Sequence, residues 1–139
     1  MKRILIFILI IIASLMGCNM NNKSKDTLKA ADYFKNISIE DLNEANDILN
    51  KLSSIKHGVY IEDISKLMNL DYKEIIESAD YGYSMKYNDQ IQLVFYGRPI
   101  HKFFIKIDEQ SVGFYVEDNG IIEISRADKE AEKETADRV

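Results

Sequence analysis

Ile91–Tyr96 (IQLVFY), Gly97-Arg98-Pro99 and Ile100–Ile107 (IHKFFIKI) form the stretch on which the fold turns. Both runs are rich in β-branched and aromatic residues, and each has strand length. The three residues between them are too few for a crossover, so the two strands must be antiparallel neighbours. The same pattern continues on either side. Downstream, a loop at Asp108–Ser111 leads to alternating Val112, Phe114 and Val116. Asn119-Gly120 is then the strongest hairpin signal in the chain, and Ile121–Ile124 is a short closing strand. Upstream, Tyr83, Met85 and Tyr87 alternate with polar residues, and Asn88-Asp89 supplies a turn. Nine of the fourteen aromatic residues lie between Tyr81 and Tyr115, which makes this half of the chain an antiparallel meander of about five strands.

The preceding half has helical periodicity. Ser38 is an N-cap and Asp41 the acidic residue three positions on. Leu42, Ala45, Leu49 and Leu52, with Ile48 and Ile55 beside them, then draw one apolar stripe along a helix from Ile39 to Ser54. Lys56-His57-Gly58 ends it. Thr27–Asn36 reads as a shorter helix through Leu28, Ala31 and Phe34. Two further short helical pieces are expected between Tyr60 and Ala79. The first turns Ile64, Leu67 and Met68 inward; the second is capped by Asp71, with Glu74 three residues on and Ile75, Ile76 and Ala79 inward. Helices first and strands second give an α+β domain over residues 27–125, with the helices on one face of the sheet. Residues 126–139 are nine charged positions in fourteen and read as a tail, or as a solvated helix held by i,i+4 ion pairs such as Arg126 with Glu130.

The N-terminal end has a different logic. Lys2 and Arg3 precede an unbroken apolar run from Ile4 to Ala13, followed by Ser14-Leu15-Met16-Gly17-Cys18. A membrane span needs about 20 apolar residues, and this run is shorter, as in the apolar core of a secretory signal peptide. Leu15-Met16-Gly17-Cys18 resembles the lipobox of bacterial lipoproteins, with Met16 standing where that family usually has a smaller or β-branched residue. The resemblance implies cleavage after residue 17. It also implies a diacylglyceryl thioether on Cys18, commonly with a further palmitate-like acyl chain on its amino group. Cys18 is the one cysteine, so lipidation would leave none for a disulfide. Residues 18–26 then form a polar tether. Its eight residues after the cysteine extend at most about 28 Å, holding the domain near the membrane. The expected location is exported and lipid-anchored, on the periplasmic side of the outer membrane or at the cell surface.

Charge and composition narrow the function. The formal net charge is −5, and −7 without Lys2 and Arg3. An acidic chain lacks the basic face that nucleic acid requires. Ile61–Ala79 has the outline of a helix-turn-helix, yet Asp71, Glu74 and Glu77 against Lys73 would repel phosphate. His57 and His101 stand alone, without a ligand partner at metal spacing. Glu40/Asp41, Glu62/Asp63 and Glu117/Asp118 lie at helix starts or turns, where acids are common. No phosphate loop, nucleophile elbow or calcium loop is present. The sequence therefore points away from an enzyme, a metal protein or a cofactor carrier.

Gly58, Ile64–Asn69, a helical piece and then aromatic strands resemble the layout of the small SmpA/OmlA lipoproteins, whose helix-pair-on-sheet plan the β-lactamase-inhibitor fold shares. The family's Leu-Gly-x-Pro is replaced here by Met68-Asn69-Leu70-Asp71. The resemblance implies that layout over Gly58–Ile107 and an accessory role in the envelope. A non-catalytic, membrane-tethered protein-binding module is the expected function. An immunity protein or inhibitor of an envelope toxin or hydrolase is the alternative, and a ligand-binding lipoprotein with a closed cleft the third. Tyr83, Tyr87, Tyr96, Phe104 and Tyr115 are the expected partner-binding residues, because aromatic side chains bury much area at low entropic cost. A helix with one apolar stripe covers one sheet side only, so the other side is expected to remain partly open.

Overall fold

The computed structural model describes residues 27–70, 75–78, 80–125 and 128. The signal segment, Cys18, the tether, nearly all of the charged tail, and Asp71–Glu74 and Ala79 lie outside them. The elements are a short 3-10 turn at Ala30–Asp32, helices α1 (Ile39–Leu52) and α2 (Ile61–Met68), and strands β1 (Ile76–Glu77), β2 (Gly82–Lys86), β3 (Ile91–Tyr96), β4 (Lys102–Ile107), β5 (Gln110–Glu117) and β6 (Gly120–Glu123). This is an α+β arrangement with the helices preceding one antiparallel sheet. Each strand pairs with its neighbours in sequence, in the order β1-β2-β3-β4-β5-β6.

Local chemistry accounts for the helix starts. Ser38 Oγ accepts a hydrogen bond from the Asp41 amide at 3.0 Å, so the expected N-cap is in place. Asp63 Oδ2 reaches back to accept from the Tyr60 amide at 3.0 Å and starts α2. Asn69, left-handed at φ 53°, ends it. In α1 the inward side is Ala45, Ile48, Leu49 and Leu52, with Ile55 just beyond, as the stripe predicts; Leu42 is half-buried.

Register sorts the sheet into two faces. Tyr83 stands opposite Phe95, Phe95 opposite Phe103, and Phe103 opposite Phe114. Met85, Leu93, Ile105 and Val112 form the next row, and all are buried with α1 and α2 in one core. The rings interlock: the Phe103 centroid is 5.6 Å from Phe95 and 5.3 Å from Phe114, with Tyr33 edge-on to Phe114 at 5.5 Å. Burial of one such side chain stabilises the fold by about 2–3 kcal/mol.

Backbone and amide bonds fix the helical layer to that face. At one end the His57 amide donates to Glu117 O (3.0 Å) and the Ile100 amide to Val59 O (2.8 Å). At the other, Gln110 accepts from the Lys35 amide and donates to the Lys35 carbonyl. Asn46 Oδ1 accepts from the Ala30 amide at 2.8 Å, and Asn88 donates to Glu44 across the α1–sheet boundary.

Several local expectations are corrected. Thr27–Asn36 contains only the 3-10 turn. Ala30 and Phe34 are buried and Ala31 is exposed, since the chain leaves helical geometry at once and Asn36 turns left-handed at φ 55°. In α2, Leu67 faces outward at 38% exposure, and Ile61, Ile64, Ser65 and Met68 point in. The predicted second helical piece is replaced at Ile76–Glu77 by a strand paired with Ser84 and Tyr83, leaving Ile76 73% exposed. That pairing is the sixth strand, one more than the meander needed. The strand after Pro99 starts at Lys102, two residues later than predicted, because Ile100 is bound to the helix connection instead. The last hairpin has Glu117 opposite Gly120, so Asp118-Asn119 is the loop and Gly120, at φ 130°, opens β6.

Candidate functional site

The other face of the sheet is built from the alternate residues of the same strands. One row reads Tyr96, Lys102, Tyr115 and Ile122, each directly opposite the next across β3 to β6. The adjacent row reads Ile76, Ser84, Val94, Phe104 and Gly113 from β1 to β5. A third row, Lys86, Gln92, Lys106 and Ser111, is polar. Val94, Tyr96, Phe104, Tyr115 and Ile122 are half-buried, neither α1 nor α2 lies on this side, and Ile124, where a further helical turn begins, reaches toward Gly113 and Phe104. Among the described residues, this face is therefore less covered than the other.

The rings on this face support one another. Phe104 meets Tyr96 edge-on with centroids 5.9 Å apart, and Lys102 Nζ lies 5.2 Å from the centre of the Tyr96 ring. Both arrangements suit the quadrupole of an aromatic ring. Gly113 makes room for Phe104: a Cβ at 113 would come within 2.6 Å of Phe104 Cε1 and 2.7 Å of Ile124 Cδ1. The Phe104 ring thus lies flat across the neighbouring strand, where any other residue would push it outward.

The five aromatic residues expected at a partner surface separate under this geometry. Tyr96, Phe104 and Tyr115 come together on the open face. Tyr83 is buried at 1% exposure in the core, so a partner has no access to it; alternation puts residue 83 on the same side as Phe95. Tyr87 also has core-side parity and packs, half-buried, against the rim of the hydrophobic cluster. Sequence reading missed Lys102, Gly113, Ile122 and Ile124. Their signal is parity with Tyr96 and Phe104, which becomes visible only when register is known.

The polar end of the face is a solvent-open groove of about 520 Å³ lined by Ser84, Lys86, Gln92, Lys106 and the flanking turns. Gln92 donates to Ser84 Oγ at 2.6 Å, and Lys86 is paired with Asp89 at 3.0 Å. Lys102 and Lys106 have no carboxylate partner among the described residues. Three lysines therefore share this face with Glu117 at the end of β5, and Asp89 and Asp108 line the groove beside Lys86 and Lys106.

The remaining charged groups do structural work. Arg98 lies 3.8 Å from Glu62 and its pKa is held above the ordinary arginine value, by Glu62 first and by Tyr83 next. His57 and His101 are both exposed and far apart in the chain. Among the described residues no group of three or more His, Cys, Asp or Glu is placed to hold a metal ion. No described helix is long and apolar enough to cross a membrane. Compared with known proteins, the chain matches no family model, no curated protein and no solved structure.

Proposed function

We propose that this chain is a membrane-anchored lipoprotein of the bacterial cell envelope whose folded part is a non-catalytic protein-binding module. The observation that carries the reading is the open sheet face. Tyr96, Phe104 and Tyr115 stand there half-buried beside Val94 and Ile122, on the side away from α1 and α2. A contiguous apolar surface of a few hundred Å² on a folded domain commonly marks an interaction site. The anchor reading rests on Lys2-Arg3, the apolar run and Leu15-Met16-Gly17-Cys18. The alternative, an immunity protein or inhibitor, draws on the acidic net charge.

Two measurements test the proposal. A photo-crosslinking residue at Tyr115 of the full chain, in the native cell, should give a discrete protein adduct. The same group at Glu40, exposed on the helical side, should not. Equal labelling from both positions, or none from Tyr115, rejects the open face as a partner surface. Cys18→Ala should release the chain from the membrane fraction or leave it as uncleaved precursor. Incorporation of labelled fatty acid into that variant would show that the anchor is elsewhere.

A further inference from the structure

We infer that residues 126–139 of this chain fold back as a helix over the face carrying Tyr96, Phe104 and Tyr115, a self-cover that a partner must displace. The competition with a partner rests on the reading of that face as a protein-binding surface; the cover rests on where the chain leaves the sheet.

The exit point is the first ground. β6 ends at Glu123, and Ile124 shares the parity of Ile122, which stands opposite Tyr115. A Cβ on Gly113 would come within 2.7 Å of Ile124 Cδ1 and 2.6 Å of Phe104 Cε1, so Ile124 lies beside the Phe104 ring. Helical geometry begins at Ile124 and Ser125 and is found again at Asp128. The chain therefore turns into a helix on the side of the sheet away from α1 and α2, next to the aromatic rows.

Helical phase is the second ground. Ile124 is half-buried, whereas Ser125 and Asp128 are exposed. At about 100° per residue, this puts the inward arc through Ile124, Ala127, Ala131 and Thr135. Arg126, Lys129 and Lys133 then fall on the opposite side, in water. Small side chains let a helix approach flat rings closely, and Gly113 is what keeps Phe104 flat. They also bury little area, so a partner can displace the contact.

The pattern of burial on the face is the third ground. Val94, Tyr96, Phe104, Tyr115 and Ile122, on β3 to β6, are half-buried. In the row at the polar end, Lys86, Gln92, Lys106 and Ser111 are all exposed, and Ile76 on β1 is 73% exposed. A helix from Ile124 to Thr135 is about 16 Å long, and β6 lies about 14 Å from β3. A cover of that length reaches the half-buried rings and leaves Ile76 and the polar row bare.

The test is tyrosine nitration by tetranitromethane, mapped by mass spectrometry, on the full chain in detergent micelles and on the same chain ended after Ser125. Only undocked molecules react at Tyr96 and Tyr115, so a tail docked about three-quarters of the time slows them about four-fold relative to the shortened chain. Tyr60 and Tyr81, exposed and outside the covered rows, should react equally in both. Two full-length variants test the phase without shortening the chain. Ala127→Glu with Ala131→Glu puts charge on the inward arc and should speed Tyr96 and Tyr115 as truncation does; Lys129→Glu with Lys133→Glu, on the outer side, should not. Melting temperatures should verify that all three remain folded. Unchanged rates at both tyrosines on truncation, or an equal response to the two variant pairs, overturns the cover. So does protection that grows with protein concentration, which assigns the face to a second copy, or protection that appears only in phosphatidylglycerol vesicles, which assigns it to lipid. In the cell, a crosslinker at Tyr115 should give more protein adduct in the shortened chain, and an equal yield defeats the competition. Unchanged nitration with an adduct removes the cover and leaves the protein-binding reading; faster nitration on truncation with no adduct in either chain does the reverse.

Discussion

The two faces of this sheet are made from the same kinds of residue, and three pairs of chain neighbours are divided between them. Phe95 and Tyr96, Phe103 and Phe104, and Phe114 and Tyr115 each send one ring into the core and the next to the open side. The inward members are wholly buried and the outward ones half-buried. What differs is the neighbour across the gap. The inward rings are buried in one core with α1 and α2; among the described residues the outward rings have their own row, Lys102, Gly113 and Ile124 beside them. Hydrophobicity of a single residue therefore says little about its role in this half of the chain, and the parity of its strand says nearly everything.

The sharpest way to break this comparison is Phe103→Ala. Phe103 lies between Phe95 and Phe114 with no solvent exposure, and truncating such a ring should cost about 3–5 kcal/mol in a urea titration. A loss below about 1 kcal/mol would mean that the covered face is not a packed core. Gly97→Ala tests the turn that sets β4 against β3. At φ 102° its added Cβ would also stand 2.6 Å from the Pro99 carbonyl oxygen, so a loss of about 1–3 kcal/mol is expected. An unchanged midpoint would show that the turn has another geometry in solution.

Ser38→Ala removes the cap of α1, the helix that does most of the covering, and should cost about 1 kcal/mol by thermal or chemical melting. The effect should appear in stability and leave capture at the open face unaltered. Smallest in stability is Tyr115→Ala, at about 0.5 kcal/mol or less as for ordinary surface positions. Its consequence should be functional, a marked loss of partner adduct formed from a crosslinker placed at Ile122 beside it. A change as large as that of Phe103→Ala would erase the distinction between the faces.

Much of the architecture was legible in the residues alone. Alternation and turn signals located β2 to β6, and the Ser38 cap with its apolar stripe located α1. Both are local: a period of 2 or 3.6, a capping side chain, or a glycine at a turn acts within a few residues. The failures occurred where local preference was overruled. Ile75 and Ile76 follow a helical spacing, yet Ile76 pairs with Ser84 because the edge of β2 was available to it. Leu67 is apolar and exposed because the neighbours of α2 lie on the side of Ile61, Ile64 and Met68.

The candidate site shows the same boundary. Sequence by itself determined that aromatic residues of both parities occupy the strands and that a one-stripe helix covers only one side, which led to the expectation of a partly open face. It did not determine which rings are on that face, nor that Lys102 lies over Tyr96 or that Gly113 accommodates Phe104. Those facts depend on which residue stands opposite which across four strand pairings. Tyr83 and Tyr115 have equal claims in the sequence, and only register assigns one to the core and the other to the surface. The physical reason is that strand alternation fixes relative parity within one strand, whereas the identity of the inward face is settled between strands and helices by the packing of the whole core.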